Sequence, residues 1–399
     1  MKKFLALMLA ILMVFTLVGC SSNDGGTDTD GGEDTSGDEH YDIVFLADLG
    51  SIYDGGFNEY SYKGIEKYAK EAGLTYTYLQ PAGNDDQSRI TIFQQAAEQM
   101  TANMVVAVGY LWDAALLQCV PEYPDIKVIY ADADNLYNID VDYDGTDDSI
   151  EHSDNLAMIK YKEQECGWLA GYTVVMDGYR KLGFFGGMAV PAVIRFGYGF
   201  LEGAEAAAAE LGLEEGSIEC KYYYTGTFDA SPDLVTFVSN WYASGTELVF
   251  SCGGTIVNSV IKAAQDGENR MIVGVDNDEY YTRAVDGEDC VPQIVTSAMK
   301  DMEGSIYTAV KAGYESEADW KEYTDNCTTD GIIDLGYAEG GACIAEYRTE
   351  NWKTLTQEQY DAAHTKLIEI ASTLKTDADG ENGAPIDGLK YVKVEYITQ

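Results

Sequence analysis

Short apolar runs alternate with amphipathic stretches along most of the chain, the pattern of parallel sheets covered on both faces by helices. Tyr41 to Ala47, Thr75 to Leu79, Met104 to Val108 and Val128 to Ala131 read as strands. Between them, Asn58 to Gly73 places Ile65, Tyr68 and Ala69 on one helical face, and Asp86 to Thr101 reads as a second helix. A second series follows, with strands at Lys181–Phe185, Ser217–Tyr224, Leu248–Ser251 and Met271–Val275. Its helices are expected at Val193–Leu211, Pro232–Ser244 and Ile256–Gln265. Two series of similar size predict two α/β lobes. In open sheets of this kind a ligand sits beyond the carboxyl ends of the strands.

The start of the chain breaks the pattern. Lys2 and Lys3 precede a run from Phe4 to Val18 that is apolar apart from Thr16, the length of a secretory h-region and short for a membrane span. Leu17-Val-Gly-Cys20 closes it and resembles the lipobox of bacterial lipoproteins, in which the cysteine becomes the lipidated first residue. The alternative is an ordinary signal peptide with an incidental cysteine. Ser21 to His40 is acidic, rich in Gly, Ser and Thr, and without a large apolar side chain, so it is expected to stay disordered as a tether. Such a tether has a typical reach of about 25 Å. The expected organisation is a signal peptide over 1–20, a tether over 21–40, a first lobe of 41–161 plus 295–325, and a second of 162–294 plus 326–399.

A net charge of −43 argues against nucleic acid as partner. Beyond Cys20, seven cysteines are scattered without CxxC spacing, as buried small apolar residues rather than a disulfide framework or zinc site. Three histidines, no nucleophile elbow and no phosphate loop leave no catalytic set, so an enzyme is not expected.

Carboxylates and aromatics collect after the strands. The first strand runs into Asp48 and a glycine-containing loop that delivers Phe57 and Asn58 to a helix start. Others lead to Asp132, to Arg195-Phe196, to Cys252-Gly-Gly254-Thr255, to Asp276-Asn-Asp278 and to Lys300. Aromatic faces suit a flat heterocycle. A carboxylate can accept two hydrogen bonds from neighbouring sugar hydroxyls, and an amide can both donate to and accept from a base edge. The same residues also fit a structural role, the phenylalanines as helix-start staples and the aspartates as N-caps.

From Tyr41 to Lys311 the chain resembles the basic membrane protein family of substrate-binding lipoproteins, the purine-nucleoside-binding type of ABC importer component. The matching segments include Gly56-Phe-Asn58, Glu165-Cys-Gly-Trp-Leu-Ala-Gly171, Lys181 to Met188 with Pro191 and Arg195-Phe196, Tyr224 to Asp229, Gly274-Val-Asp276-Asn-Asp278 and Thr296 to Lys300. The resemblance implies a type I periplasmic-binding-protein fold, two Rossmann-like lobes about a hinge. It implies that Phe57 and Phe196 sandwich a base, that Asn58 and Asp132 meet its edge, and that Asp276 and Lys300 hold the ribose. Asp48 and Gly254 would line the same cleft. It further implies a monomer tethered outside the cell, with a permease and an ATPase as partners and no required cofactor. Gly56 stands where a serine is usual, and riboflavin-binding relatives make a flavin the alternative ligand. A ligand-sensing receptor domain is the alternative role.

One more constellation stands apart. Asp140, Asp142, Asp144, Thr146, Asp148 and Glu151 fall at the ligand positions of an EF-hand-type loop with Gly145 at its turn, which fits a structural calcium ion. The alternative is a solvated acidic insertion.

Overall fold

The apolar runs become the strands of two sheets. The structure is a computed structural model that describes residues 40–398 apart from 50, 143, 328–330 and 381–382. Cys20, the expected signal peptide and all of the tether but His40 lie outside the described residues.

The first sheet contains β1 (Ile43–Leu46), β2 (Tyr76–Leu79), β3 (Met104–Val108), β4 (Lys127–Ala131), β5 (Leu156–Tyr161) and, late in the chain, β11 (Ile333–Leu335). Its order is β11-β5-β4-β3-β1-β2, every pairing parallel. The second holds β6 (Lys181–Gly186), β7 (Ile218–Tyr224), β8 (Leu248–Cys252), β9 (Met271–Asp276), β10 (Ile294–Lys300), β12 (Ala342–Ile344) and β13 (Val392–Ile397). Its order is β12-β10-β9-β8-β6-β7-β13, parallel except for β10 with β12.

Helices cover both faces of each sheet. On the first sheet, α1 (Phe57–Ala72), α9 (Met302–Glu315) and α10 (Glu317–Asp325) share one core, and α2 (Asp86–Gln94) and α3 (Asp113–Glu122) the other. The second sheet packs α4 (Glu163–Met176), α5 (Pro191–Glu210) and α11 (Gln357–Ile370) on one side, and α6 (Pro232–Ala243) and α7 (Ile256–Gln265) on the other. The remaining helix, α8 (Glu279–Asp286), begins just after β9. The expected helix 86–101 is α2 continued by a π-helical turn over Gln95–Gln99.

The chain crosses between sheets at other points than expected. β10, expected in the first lobe with 295–325, is hydrogen bonded to β9 in the second sheet. β11, placed in the second lobe with 326–399, pairs with β5 in the first. The crossings therefore fall between β5 and α4, between β10 and α9, and between β11 and β12. α4 and α5 meet so closely that a Cβ on Gly171 or Gly203 would lie 2.0 Å from a carbonyl oxygen of the partner helix. This contact fixes the middle of α4 against the middle of α5.

Candidate functional site

The carboxyl ends of both sheets face one pocket, with about 620 Å³ of empty space when its open mouth is included. Asp48, Phe57, Asn58, Asp132, Phe196, Gly254, Asp276 and Lys300 all line it. The lobes also touch at the rim, where Asn277 Nδ2 donates to the Gly55 carbonyl at 2.7 Å and Tyr60 and Thr282 share a hydrogen bond of 3.1 Å.

Two of the carboxylates hang from unusual backbone. Asp132 has φ +57° and Asp276 φ +66°, a left-handed conformation that aspartate tolerates better than most residues and that recurs at functional sites. It turns each side chain from the end of its strand into the cleft. Lys300, at the end of β10, meets both: its Nζ lies 2.9 Å from Asp132 Oδ1 and 3.6 Å from Asp276 Oδ1. The same ammonium is 5.0 Å from the Phe57 ring centroid and 5.6 Å from that of Phe196, so the two rings converge on one volume. Burial pushes the Asp276 carboxyl above the usual range against the pull of Lys300. Burial also works against the Lys300 ammonium, but Asp132, Asp276 and Glu163 outweigh it and hold its pKa above that of an ordinary lysine.

Behind this pair stands a second cation. Arg195 donates from Nε to Glu163 Oε2 at 2.6 Å, from Nη1 to Asp377 Oδ1 at 2.7 Å, and from Nη2 to the Tyr110 hydroxyl. Glu163 is fully buried, and its Oε1 has no hydrogen-bond partner, with the Lys300 ammonium 3.6 Å away. One carboxylate at the β5–α4 crossing thus lies between both cations.

Asn58 does not present a free amide. Its Oδ1 accepts from the Asp48 N–H at 3.0 Å, and its Nδ2 donates to the Leu49 carbonyl at 3.2 Å and to Asp54 Oδ2 at 3.0 Å. With both amide hydrogens committed, it fixes the loop that carries Asp48 rather than offering a donor to a base edge. Asp54 also accepts from the N–H groups of Gly56, Asn58 and Glu59, and so caps α1. Asp48 Oδ1, in contrast, is buried without a partner, and burial raises its pKa to about 7. A ligand donor fits there.

The sequence assigns no binding role to several lining residues. Asp54, Tyr110, Phe228 and Cys252 all face the pocket, and Phe228 packs so tightly under Gly187 that a Cβ there would come within 2.4 Å. The Tyr224-Thr-Gly-Thr-Phe-Asp229 motif holds the signal for Phe228, and the position of Tyr110 just after β3 is a strand-end signal of the kind that marked Asp48. Asp278 lies elsewhere: it caps α8 through the Tyr281 N–H and pairs with Arg348.

In the acidic loop, Asp140, Asp142 and Asp148 bring ligand atoms within 4.8 Å of one another, whereas the carboxylates of Asp144 and Glu151 do not join the group. Asp144 Oδ1 instead accepts from the Thr146 N–H. The seven cysteines after residue 20 are free thiols, five of them buried.

Two lobes joined by three crossings, with convergent polar and aromatic groups between them, define a substrate-binding protein of the type I periplasmic fold. A solute-binding protein of an ABC transporter system from Aeropyrum pernix K1 superposes with a TM-score of 0.61 at 22% identity, over 84% of this chain and 86% of that one. Residues 42–370 match the Bmp family, described as ABC transporter substrate-binding protein PnrA-like, and the chain belongs to that family. It is similar to an uncharacterized lipoprotein of Pyrococcus furiosus, 26% identical over 84% of this chain and 75% of that one. It is also similar to the ABC transporter nucleoside-binding protein BmpA of Lactococcus lactis subsp. cremoris, 25% identical over 82% of this chain and 89% of the relative.

Proposed function

We propose that the chain captures a nucleoside, with purine nucleosides favoured, between its lobes without chemical turnover and delivers it to the permease and ATPase of an importer. Lipidation at Cys20 would hold it on the outer face of the membrane, as the lipoprotein name of the Pyrococcus relative supports. The observation that carries the ligand assignment is the convergence of Phe57 and Phe196 on the volume beside Asp132, Asp276 and Lys300. Stacking on aromatic faces contributes about 1–3 kcal/mol per base, and the strand-end carboxylates accept from hydroxyls and ring N–H groups. The lactococcal relative's description as nucleoside-binding supports the same ligand.

The wall charges set a limit on the ligand. Asp48, Asp54, Asp132 and Asp276 line the pocket against Lys300, the one cation among its described walls, so a phosphate meets net repulsion. Titration calorimetry with adenosine, guanosine, inosine, uridine and riboflavin is expected to show tight binding of nucleosides. Their 5′-monophosphates should bind at least tenfold more weakly. Tighter binding of a monophosphate than of its nucleoside sinks the charge argument, and riboflavin alone binding makes the ligand a flavin.

The finer reading of the acidic loop is a calcium site. Asp140, Asp142 and Asp148 converge, and Gly145 turns the chain with φ +86°. An ion twentyfold above its Kd stabilises by about 2 kcal/mol, so millimolar calcium should raise Tm over chelator-treated protein while magnesium does less. An unchanged Tm removes the ion.

A further inference from the structure

The family match ends at residue 370, yet the residues that follow are attached to the cleft. They run along one face of α5. Arg195, Tyr198, Glu202 and Glu205 lie at i, i+3, i+7 and i+10, the spacing of a single helical face, and each holds part of this segment. Arg195 pairs with Asp377; Tyr198 donates its hydroxyl to the Ala384 carbonyl at 2.6 Å. Glu202 accepts from the Lys375 N–H at 2.9 Å, and Glu205 from the N–H groups of Lys390, Tyr391 and Val392 at 2.7 to 2.9 Å. β13 then adds a parallel strand to the sheet beside β7.

Of these four side chains Arg195 has a bond to the other lobe. Two of its guanidinium nitrogens are held within its own lobe, Nε by Glu163 and Nη1 by Asp377, and the third reaches Tyr110. A planar donor fork clamped by two carboxylates has little freedom left, so its remaining N–H is aimed before the lobes meet. We propose that the segment after residue 370 is a strap that, through Asp377, aims Arg195 across the cleft at Tyr110 and so sets how firmly the lobes close on a ligand. Asp377 is a positioning residue: it is not among the pocket walls, and its effect passes through Arg195. A weaker closed state appears as a weaker apparent affinity, because only the closed fraction holds the ligand.

The binding arm of the test rests on the nucleoside reading and uses adenosine; the exchange arm uses no ligand. Asp377→Asn, whose site is 31% exposed at the side chain, keeps the shape and removes the charge. It is expected to weaken adenosine binding at least fivefold, through faster dissociation, and Asp377→Glu to restore most of it. Tyr110→Phe should weaken binding too, and the double variant Asp377→Asn/Tyr110→Phe should bind no worse than the weaker single. Fully additive losses overturn the strap. In ligand-free protein, amide hydrogen exchange over residues 109–112 of the first lobe should quicken in Asp377→Asn. A change confined to residues 189–198 of its own lobe overturns the proposal. If adenosine does not bind the natural protein, the nucleoside reading fails, and the exchange result alone decides for or against the strap.

Discussion

Exchange of Lys300 for methionine is expected to cost the fold about 3–5 kcal/mol, the usual penalty for breaking a buried ion pair from one side, and to abolish ligand capture. Methionine fills nearly the same volume, so packing is not the cause. The Lys300 side chain is 3% exposed, and its ammonium faces Asp132 at 2.9 Å, with Glu163 and Asp276 each at 3.6 Å. Without it Glu163 keeps Arg195, but Asp132 and Asp276 confront each other from opposite lobes with no cation between them. The repulsion opens the cleft as well as weakening the fold. Burial already raises the pKa of Glu163 and of Asp276, and both should rise further in the variant, so protonation recovers part of the loss at acid pH. Urea denaturation at pH 8 and pH 5 measures this, with the larger deficit at pH 8. A second change, Asp132→Asn, should return part of the stability to Lys300→Met. If the double variant is no more stable than the single, the loss is one of packing and the charge account is wrong.

The strands and the wall of acids were legible because their physics is local. A strand covered on both faces must be apolar at every position, as β3 is from Met104 to Val108, and a run of that kind ending in aspartate marks the carboxyl edge of a sheet. Asp48, Asp132 and Asp276 were visible in that way. Gly254 carries φ +52°, which accounts for a glycine there. Helix α4 escaped the periodic reading because every residue from Glu163 to Val175 is buried, so no polar face sets a period. The lobe boundaries were illegible for a related reason. Nothing in Ile-Val-Thr-Ser-Ala-Met-Lys says which sheet β10 joins, since that depends on pairing with β9. Asn58 shows the limit at the site itself: its amide chemistry suits a base edge, but Asp54 four residues earlier claims it. The Arg195 junction gathers Tyr110, Glu163 and Asp377, and no local pattern connects positions 182 residues apart.

The stability of the protein should fall as pH rises from about 4 to about 7, and Asp48→Asn should remove a large part of that slope. Burial lifts the Asp48 carboxyl from 3.8 to about 7, opposed by the Leu49 N–H and Arg89 and assisted by Asp132. An acid whose pKa is higher in the folded state binds its proton more tightly there. Between the two values the folded protein therefore carries more protons than the unfolded one, and stability declines with pH. The full change corresponds to about 4 kcal/mol, at 1.36 kcal/mol for each tenfold step. Asp113, raised to about 8 by burial, contributes in the same direction but is common to both proteins and cancels in their difference. Denaturation curves at pH 4.5, 6 and 8 should thus show Asp48→Asn gaining on the natural protein as pH rises; parallel curves would falsify the assignment. The ligand reverses the sign. A nucleoside N–H or O–H donated to the unpartnered Oδ1 favours the ionised carboxylate, so affinity should rise at least threefold from pH 6 to pH 8. In Asp48→Asn the affinity should be flat across that range, because an amide has no proton to lose.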